Sequence, residues 1–449
     1  MKLLDKFKSK KARRVLLVGL DGTPYTLVKR SIHEGVMPNL SRLVDQGTLL
    51  QMDSSIPEIS SVAWSSFMTG CNPASHGVFG FVDLLPNSYK TYFPNSGAIK
   101  RETLWEILGR HGKRSVVINV PSTYPARPLN GILIAGFVAL DLAKATYPQA
   151  LTERLEQWGY RIDVNVAQAR TSLAAFVSDL FETHQRRVQT IFRLFDTEPW
   201  DLFIGAITCT DRLQHFLWIA GEQPDHPFHR AFIDYYKQVD DFLGKMAERV
   251  TDDTLFMIMS DHGFTRLEKQ VYLNSWLRER GYLKFSASPA KSLEDILPQT
   301  KAFALDPGRI YINLKGKFPR GTVEPGAQYR DLCAQLKEEI LQIYDGSRRV
   351  IKRVFSKEEV YSGHYIDRAP DLLVLSEWGY DLKGAINKDC LVDREHFTGM
   401  HTGDDAMLFI NSKAVINKRP SVIDVAPTIL AATGISPKEL MEGSSLLAD

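Results

Sequence analysis

Cysteine is scarce in this sequence. The 449 residues hold four, Cys71, Cys209, Cys333 and Cys390, far apart and without a CxxC pair. That spacing excludes a disulfide framework and a zinc knuckle, and it fits a reducing compartment, so a cytoplasmic location is expected. Long apolar runs are missing as well. No stretch approaches the roughly 18 uninterrupted apolar residues of a spanning helix, and the first residues lack the apolar core of a secretory signal. Surplus charge is the third absence. With 55 Lys+Arg against 53 Asp+Glu the net charge is +2, so no global basic field exists to hold nucleic acid, and a stable nucleic-acid partner is not expected.

The balance conceals one asymmetry. Residues 1–14 hold seven Lys or Arg against the single Asp5, which makes this leader +6 and leaves −4 for the remainder. Such a leader reads as a solvated segment able to make weak contact with an anionic membrane surface. The hydrophobic share of 44% and the charged share of 24% are those of a globular chain.

Apolar, β-rich runs alternate with amphipathic stretches along the chain. Val15–Leu20, Ser115–Val120, Leu202–Ile207, Thr254–Met259, Leu372–Leu375 and Met407–Ile410 are apolar throughout rather than alternating, the pattern of strands buried on both faces of a mainly parallel sheet. Helices are expected over 37–46, 61–68, 103–111, 228–249, 328–343 and 422–433. The resulting class is α/β, a three-layer α/β/α sandwich. Two segments exceed what crossovers need, a helical one at about 140–198 and a mixed one at about 284–325, and both are expected as insertions above the carboxyl edge of the sheet. The domain plan is then the leader 1–14 followed by one domain over 15–449.

Three of the buried runs end in aspartate: VLLVGL in Asp21, LFIGAITCT in Asp211 and TLFMIMS in Asp261. Carboxylates at strand carboxyl ends point into the crevice where open α/β sheets bind ligands. His215 follows Asp211 by four residues, on the same face of a helix, and His262 directly follows Asp261. His401, just before the last strand, could complete the set, with His396 as a neighbouring competitor. Carboxylate and imidazole are the ligands of catalytic zinc, and two metals would need more donors than any single turn supplies. A nucleophile is available at the start of the 61–68 helix, where either Ser60 or Ser61 would sit at the positive end of the dipole. The turn VLLVGLDGTP fits neither a dinucleotide fingerprint nor a P-loop, and its Asp would repel phosphate unless a cation intervened.

In order, the phrases VGLDG, ISSVAWSSFMTGCNPASHGVFGF, TDRLQHFLW, SDHGF, GMHTGDDAMLF and IDVAPTILAATGI resemble the alkaline phosphatase superfamily. More narrowly they are similar to its type I phosphodiesterase and nucleotide pyrophosphatase branch, over nearly the whole chain. The resemblance implies a phosphoric-ester hydrolase with two divalent ions, zinc first and manganese or iron as substitutes on the same ligands. Asp211, His215 and His401 would hold one ion, and Asp21, Asp261 and His262 the other. Ser60 would be the nucleophile of a phosphoserine route, with Ser61 as the fallback, acting on a small phosphate ester or a nucleotide. His76 matches a family position but reads as a structural loop residue.

The sequence departs from that branch in one respect. The relatives carry Thr as nucleophile and, three residues later, an Asn that holds a phosphate oxygen; here those positions are Ser60 and Ala63. Asn119 and Thr123, in the turn VINVPSTYP, are the expected substitutes. A phosphomutase on the same site, a sulfatase-like hydrolase and a non-catalytic metal- or nucleotide-binding scaffold are the alternatives. The sulfatase motif is imitated only by Cys71-Asn72-Pro73, which lacks the arginine and follows the nucleophile helix.

Overall fold

A computed structural model of the chain describes residues 14–394, 396–413, 415, 418–438 and 441–448. Of the basic leader, all but Arg14 lies outside the described residues, and Arg14 is the first residue of a strand.

Eight strands form the central sheet: β1 (Arg14–Leu20), β2 (Thr48–Met52), β3 (Ser115–Val120), β4 (Gly131–Ala135), β5 (Thr146–Tyr147), β6 (Leu202–Ile207), β7 (Thr254–Met259) and β8 (Ala406–Ile410). Their spatial order is β2-β8-β7-β1-β6-β3-β4-β5. The five from β7 to β4 run parallel, with β1 between β6 and β7, while β8 and β5 are antiparallel to their neighbours. Alternate residues of β1 serve opposite faces: Leu16, Val18 and Leu20 join one hydrophobic core, and Val15 and Leu17 the other. Burial on both faces explains the absence of polar alternation in these runs.

Helices cover both faces. On one lie α2 (Leu173–Thr197), α3 (Cys209–Glu222) and α4 (His229–Ala247); on the other lie α1 (Ser60–Thr69) and α5 (Val425–Ala432). Within the stretch expected as a helical insertion, α2 packs on the sheet and buries Phe176, Leu180, Ile191 and Leu194, each worth about 1.5–3 kcal/mol of transfer free energy. Its stripe meets β6 closely, since a Cβ on Gly205 would lie 3.1 Å from Ile191. The stretch reaches the carboxyl edge through Asp163, which holds Arg212, and through Arg187 of α2, whose Nη1 donates to Thr208 Oγ1 at 2.9 Å.

The mixed segment is the middle of something larger. Residues from Val271 to Val392 carry a hydrophobic core of their own around an antiparallel sheet of Ala302–Leu305, Arg309–Ile312, Leu372–Ser376 and Ile351–Ser356, covered by the helix Ala327–Ile340. The run Leu372–Leu375, expected in the central sheet, belongs here instead. Leu372 and Val374 lie in this second core while Leu373 faces a small cluster with Phe79, Phe355 and Tyr361, and continuous hydrophobicity reports burial, not which sheet provides it.

Candidate active site

The parallel strands deliver their carboxyl ends to one crevice. Asp21 follows β1, Asp211 lies in the first turn of α3 after β6, and Asp261 and His262 follow β7. The antiparallel β8 enters the sheet from that same edge, so the residues before it are delivered there too. His401 lies on the short strand Gly399–Thr402, which pairs with Gly263–Arg266 and sets His401 opposite Phe264. Approach is close at this strand pair: a Cβ on Gly263 would meet Thr402 Oγ1 and lie 2.8 Å from the Asp405 backbone.

Two donor clusters result, Asp211 with His215 and His401, and Asp21 with Asp261 and His262. In the first, Asp211 Oδ1 is 3.3 Å from His215 Nε2 and 3.2 Å from His401 Nε2, and the two nitrogens are 3.1 Å apart. In the second, His262 Nε2 is 3.4 Å from Asp261 Oδ2 and 3.7 Å from Asp21 Oδ1. The clusters adjoin, with the His262 and His401 rings stacked at 3.7 Å between centroids. Ser60, the first residue of α1, places Oγ 3.0 Å from His262 Nε2 and 3.3 Å from Asp21 Oδ1. The helix N-cap, Ile59, offers no side-chain cap, so the positive end of the helix faces this hydroxyl.

Each of the three imidazoles meets a backbone carbonyl through Nδ1: His215 at Gly399 (3.3 Å), His262 at Gly263 (3.0 Å) and His401 at Glu58 (3.0 Å). A carbonyl only accepts, so Nδ1 carries the hydrogen and Nε2 is turned to the cluster as a lone pair. Nitrogen lone pairs 3.1 Å apart require one positive centre between them. Burial holds His262 down at about 4, with His401 adding to the effect, and it lowers His401 as well.

The carboxylates tell the same story. Burial, with Asp261 and Asp211 close by, lifts Asp21 well above the carboxylate range, and burial pushes Asp261 up to about 7. Asp211 goes the other way: burial opposes its charge, but His215, His401 and Arg212 hold it well below that range. Asp261 Oδ2 is buried without a hydrogen-bond partner. An orphaned carboxylate oxygen, aimed lone pairs and crowded acids are the donor set of a divalent cation, and both clusters fit one.

Surrounding side chains fix the aspartates. Trp64 Nε1 donates to Asp21 Oδ2 (3.0 Å), the Gly22 amide donates to Asp261 Oδ1 (3.0 Å), and Arg212 Nη1 donates to Asp211 Oδ2 (3.2 Å). Arg212 is itself held by Asp163 at 2.7 Å. None of these partners was singled out from the sequence. For Trp64 a signal existed, since it is one helical turn beyond Ser60; Asp163 carried none.

Other expectations fall outside the crevice. His396 is exposed and in neither cluster. Asn119 is spent on the fold: its amide donates to Ala206 O (3.0 Å) and Thr208 Oγ1 (3.3 Å), bridging β3 to β6. Thr123 is buried and donates to Val120 O at 2.7 Å. Neither side chain is available as the substitute phosphate contact. Ser61 is buried with no partner for its hydroxyl.

The fold and these paired carboxylate and imidazole clusters define a phosphoester hydrolase of the alkaline phosphatase superfamily. The model of the type I phosphodiesterase / nucleotide pyrophosphatase family matches residues 15–404, and the chain belongs to that family, whose members depend on metal, usually two divalent ions. Among solved structures, phosphonoacetate hydrolase from Sinorhizobium meliloti 1021 in complex with phosphonoformate shares the fold, at a TM-score of 0.64 and 15% identity over 96% of this chain and 98% of that one. Murine ectonucleotide pyrophosphatase / phosphodiesterase 5 does so at 0.56 and 14%, over 96% and 97%, and the human protein at 0.56 and 16%, over the same shares. No curated protein matches the sequence. Among the described residues, no helix is long and apolar enough to cross a membrane.

Proposed function

We propose that the chain hydrolyses phosphoric esters, diesters first, through a phosphoserine on Ser60 at a two-metal centre. The observation that carries this is the position of Ser60 Oγ, 3.0 Å from His262 Nε2 and 3.3 Å from Asp21 Oδ1 at an uncapped helix start. Asp211, His215 and His401 would hold one ion and Asp21, Asp261 and His262 the other, with zinc best suited to this donor set. When bound, the pair neutralises phosphate oxygens and lowers the pKa of the serine hydroxyl.

The chain's own groups do the rest. The Ser60 hydroxyl donates toward Asp21 Oδ1, which leaves a lone pair for attack on phosphorus. A bond forms from Oγ to phosphorus as the bond to the leaving alcohol breaks, and water later cleaves the phosphoserine and restores the hydroxyl. Amides of the first turn of α1 and the helix dipole stabilise the phosphoryl oxygens. Residues 15–449 are read as one catalytic domain, because its proposed ligands run from Asp21 to His401. The scarcity and wide spacing of the four cysteines support reading that domain as cytoplasmic.

The test is Ser60→Ala in the zinc-loaded protein. It should keep about two ions per chain and lose at least about 10³-fold in kcat on bis-4-nitrophenyl phosphate. Full turnover in Ser60→Ala with loss in Ser61→Ala would move the nucleophile by one residue, and preferred cleavage of 4-nitrophenyl sulfate would reject the phosphoester assignment.

A further inference from the structure

Beside Ser60 lies a cleft of about 360 Å³ whose walls include Ser61, Phe81, Phe93, Phe137 and Leu140. It is joined to the reactive crevice twice. Ser61 follows the proposed nucleophile in the chain, and Arg212, which holds Asp211, lies with its guanidinium 4.3 Å from the centre of the Phe137 ring. Building on the Ser60 reading, we propose that this cleft seats the organic group of the substrate, and that this group is an alkyl chain rather than a nucleoside.

Four observations support the choice. No Lys, Arg, His, Asp or Glu lines the cleft, so nothing there recognises a charged substituent. Phe81 and Phe137 are already stacked, with centroids 5.3 Å apart and planes within 14°; a base sandwiched between them would need about 7 Å, two contacts of about 3.5 Å. The Arg212 guanidinium also lies over the Phe137 ring, and Phe93 closes edge-on against Phe81 at 5.7 Å. Large apolar side chains stand in water at the rim: Leu140 and Phe93, 84% and 64% exposed, are the two most exposed large hydrophobic residues among those described, while of the polar lining Asn95 Oδ1 already accepts from the Gly97 amide and Ser122 Oγ donates to Ser61 O. An alkyl chain covering Leu140 and Phe93 gains the burial that the protein alone leaves unused. At the inner end Ser61, 7% exposed, turns no accessible oxygen into the cleft, since its hydroxyl is buried without a hydrogen-bond partner, so the wall it contributes there is apolar in effect.

The experiment uses the zinc-loaded full chain and the methyl, butyl and octyl 4-nitrophenyl phosphodiesters, with the thymidine 5′ ester as the nucleoside member. The value of kcat/KM should rise about fourfold for each methylene that leaves water, with the octyl ester above the thymidine ester. In the Phe93→Ala/Leu140→Ala variant the octyl-to-methyl ratio should fall by about tenfold. A flat series, or a preference for the thymidine ester, overturns the proposal. So does a variant that loses oligomeric mass while the ratio stays put, which would make the rim a contact between two copies of this chain.

Calorimetry with octylphosphonate and methylphosphonate reads the cleft without turnover. Tighter octyl binding in a protein that hydrolyses nothing would uphold the cleft and reject the Ser60 reading, whereas equal affinities reject the cleft. A hexadecyl ester carried in phosphatidylcholine vesicles separates the sources of such a chain: its cleavage assigns a membrane lipid, and cleavage of the dissolved octyl ester alone assigns a soluble alkyl ester.

Discussion

Four histidines near α1 divide according to which ring nitrogen the fold occupies. His215, His262 and His401 each give Nδ1–H to a carbonyl and turn Nε2 to the carboxylates. His76 is the reverse: the Val78 amide donates to its Nδ1 (3.3 Å), so Nε2 carries the hydrogen and donates to Ser66 Oγ (3.0 Å). With both nitrogens engaged and the ring buried, His76 is pushed down to about 3 and serves the fold. The sign of its linkage follows. Between pH 6.5 and 3 the unfolded chain carries a proton on this ring that the folded one lacks, so its contribution is complete above 6.5 and is lost as pH falls. From pH 6.5 to 4 the wild type should lose about 3 kcal/mol more than His76→Gln, measured by urea unfolding at each pH. Equal losses would mean that the ring takes up its proton in the folded state.

At the level of elements, the ends of secondary structure place the chemistry. Three strands ending in aspartate and one helical pair, Asp211 and His215, were legible because chain-local spacing alone specifies them. Convergence of His401 on the same crevice was not spacing but topology, the antiparallel entry of β8. Asn119 misled for a related reason. It looked like a loop amide at a strand end, yet its backbone is left-handed, at φ 63°, and turns the amide back into the sheet, a conformation that no residue pattern announces. The indole of Trp64 is the converse, hydrophobic in pattern and polar in use. Trp64→Phe should free Asp21 Oδ2 and weaken metal binding about 10- to 100-fold in competition with a chelator; an unchanged affinity would make the indole mere packing. Gly19 guards that contact, since a Cβ there would lie 2.5 Å from the Trp64 ring.

On the scale of the molecule, a buried ion pair ties the second core to the segment of chain that follows α1. Arg309, fully buried, gives Nη1 to Asp83 (2.7 Å) and Nη2 to Val82 O (2.7 Å), and Gly80 leaves room for the guanidinium. Arg309→Met should destabilise by about 3–5 kcal/mol by stranding a buried carboxylate, and Asp83→Asn in the same chain should recover much of that, read as thermal midpoints. An additive double variant would deny the coupling. The boundaries of that second core were the least legible part of the fold, because its strands and those of the central sheet are equally apolar. The placement of His401 beside β8 has a further consequence during synthesis. Strand β8 pairs with β2 across more than three hundred and fifty residues of chain, and the two donor clusters adjoin only once it has docked. A ribosome must therefore release nearly the whole polypeptide before the first cluster has its third donor, so the metal centre proposed on these residues would be complete only after translation has passed residue 401.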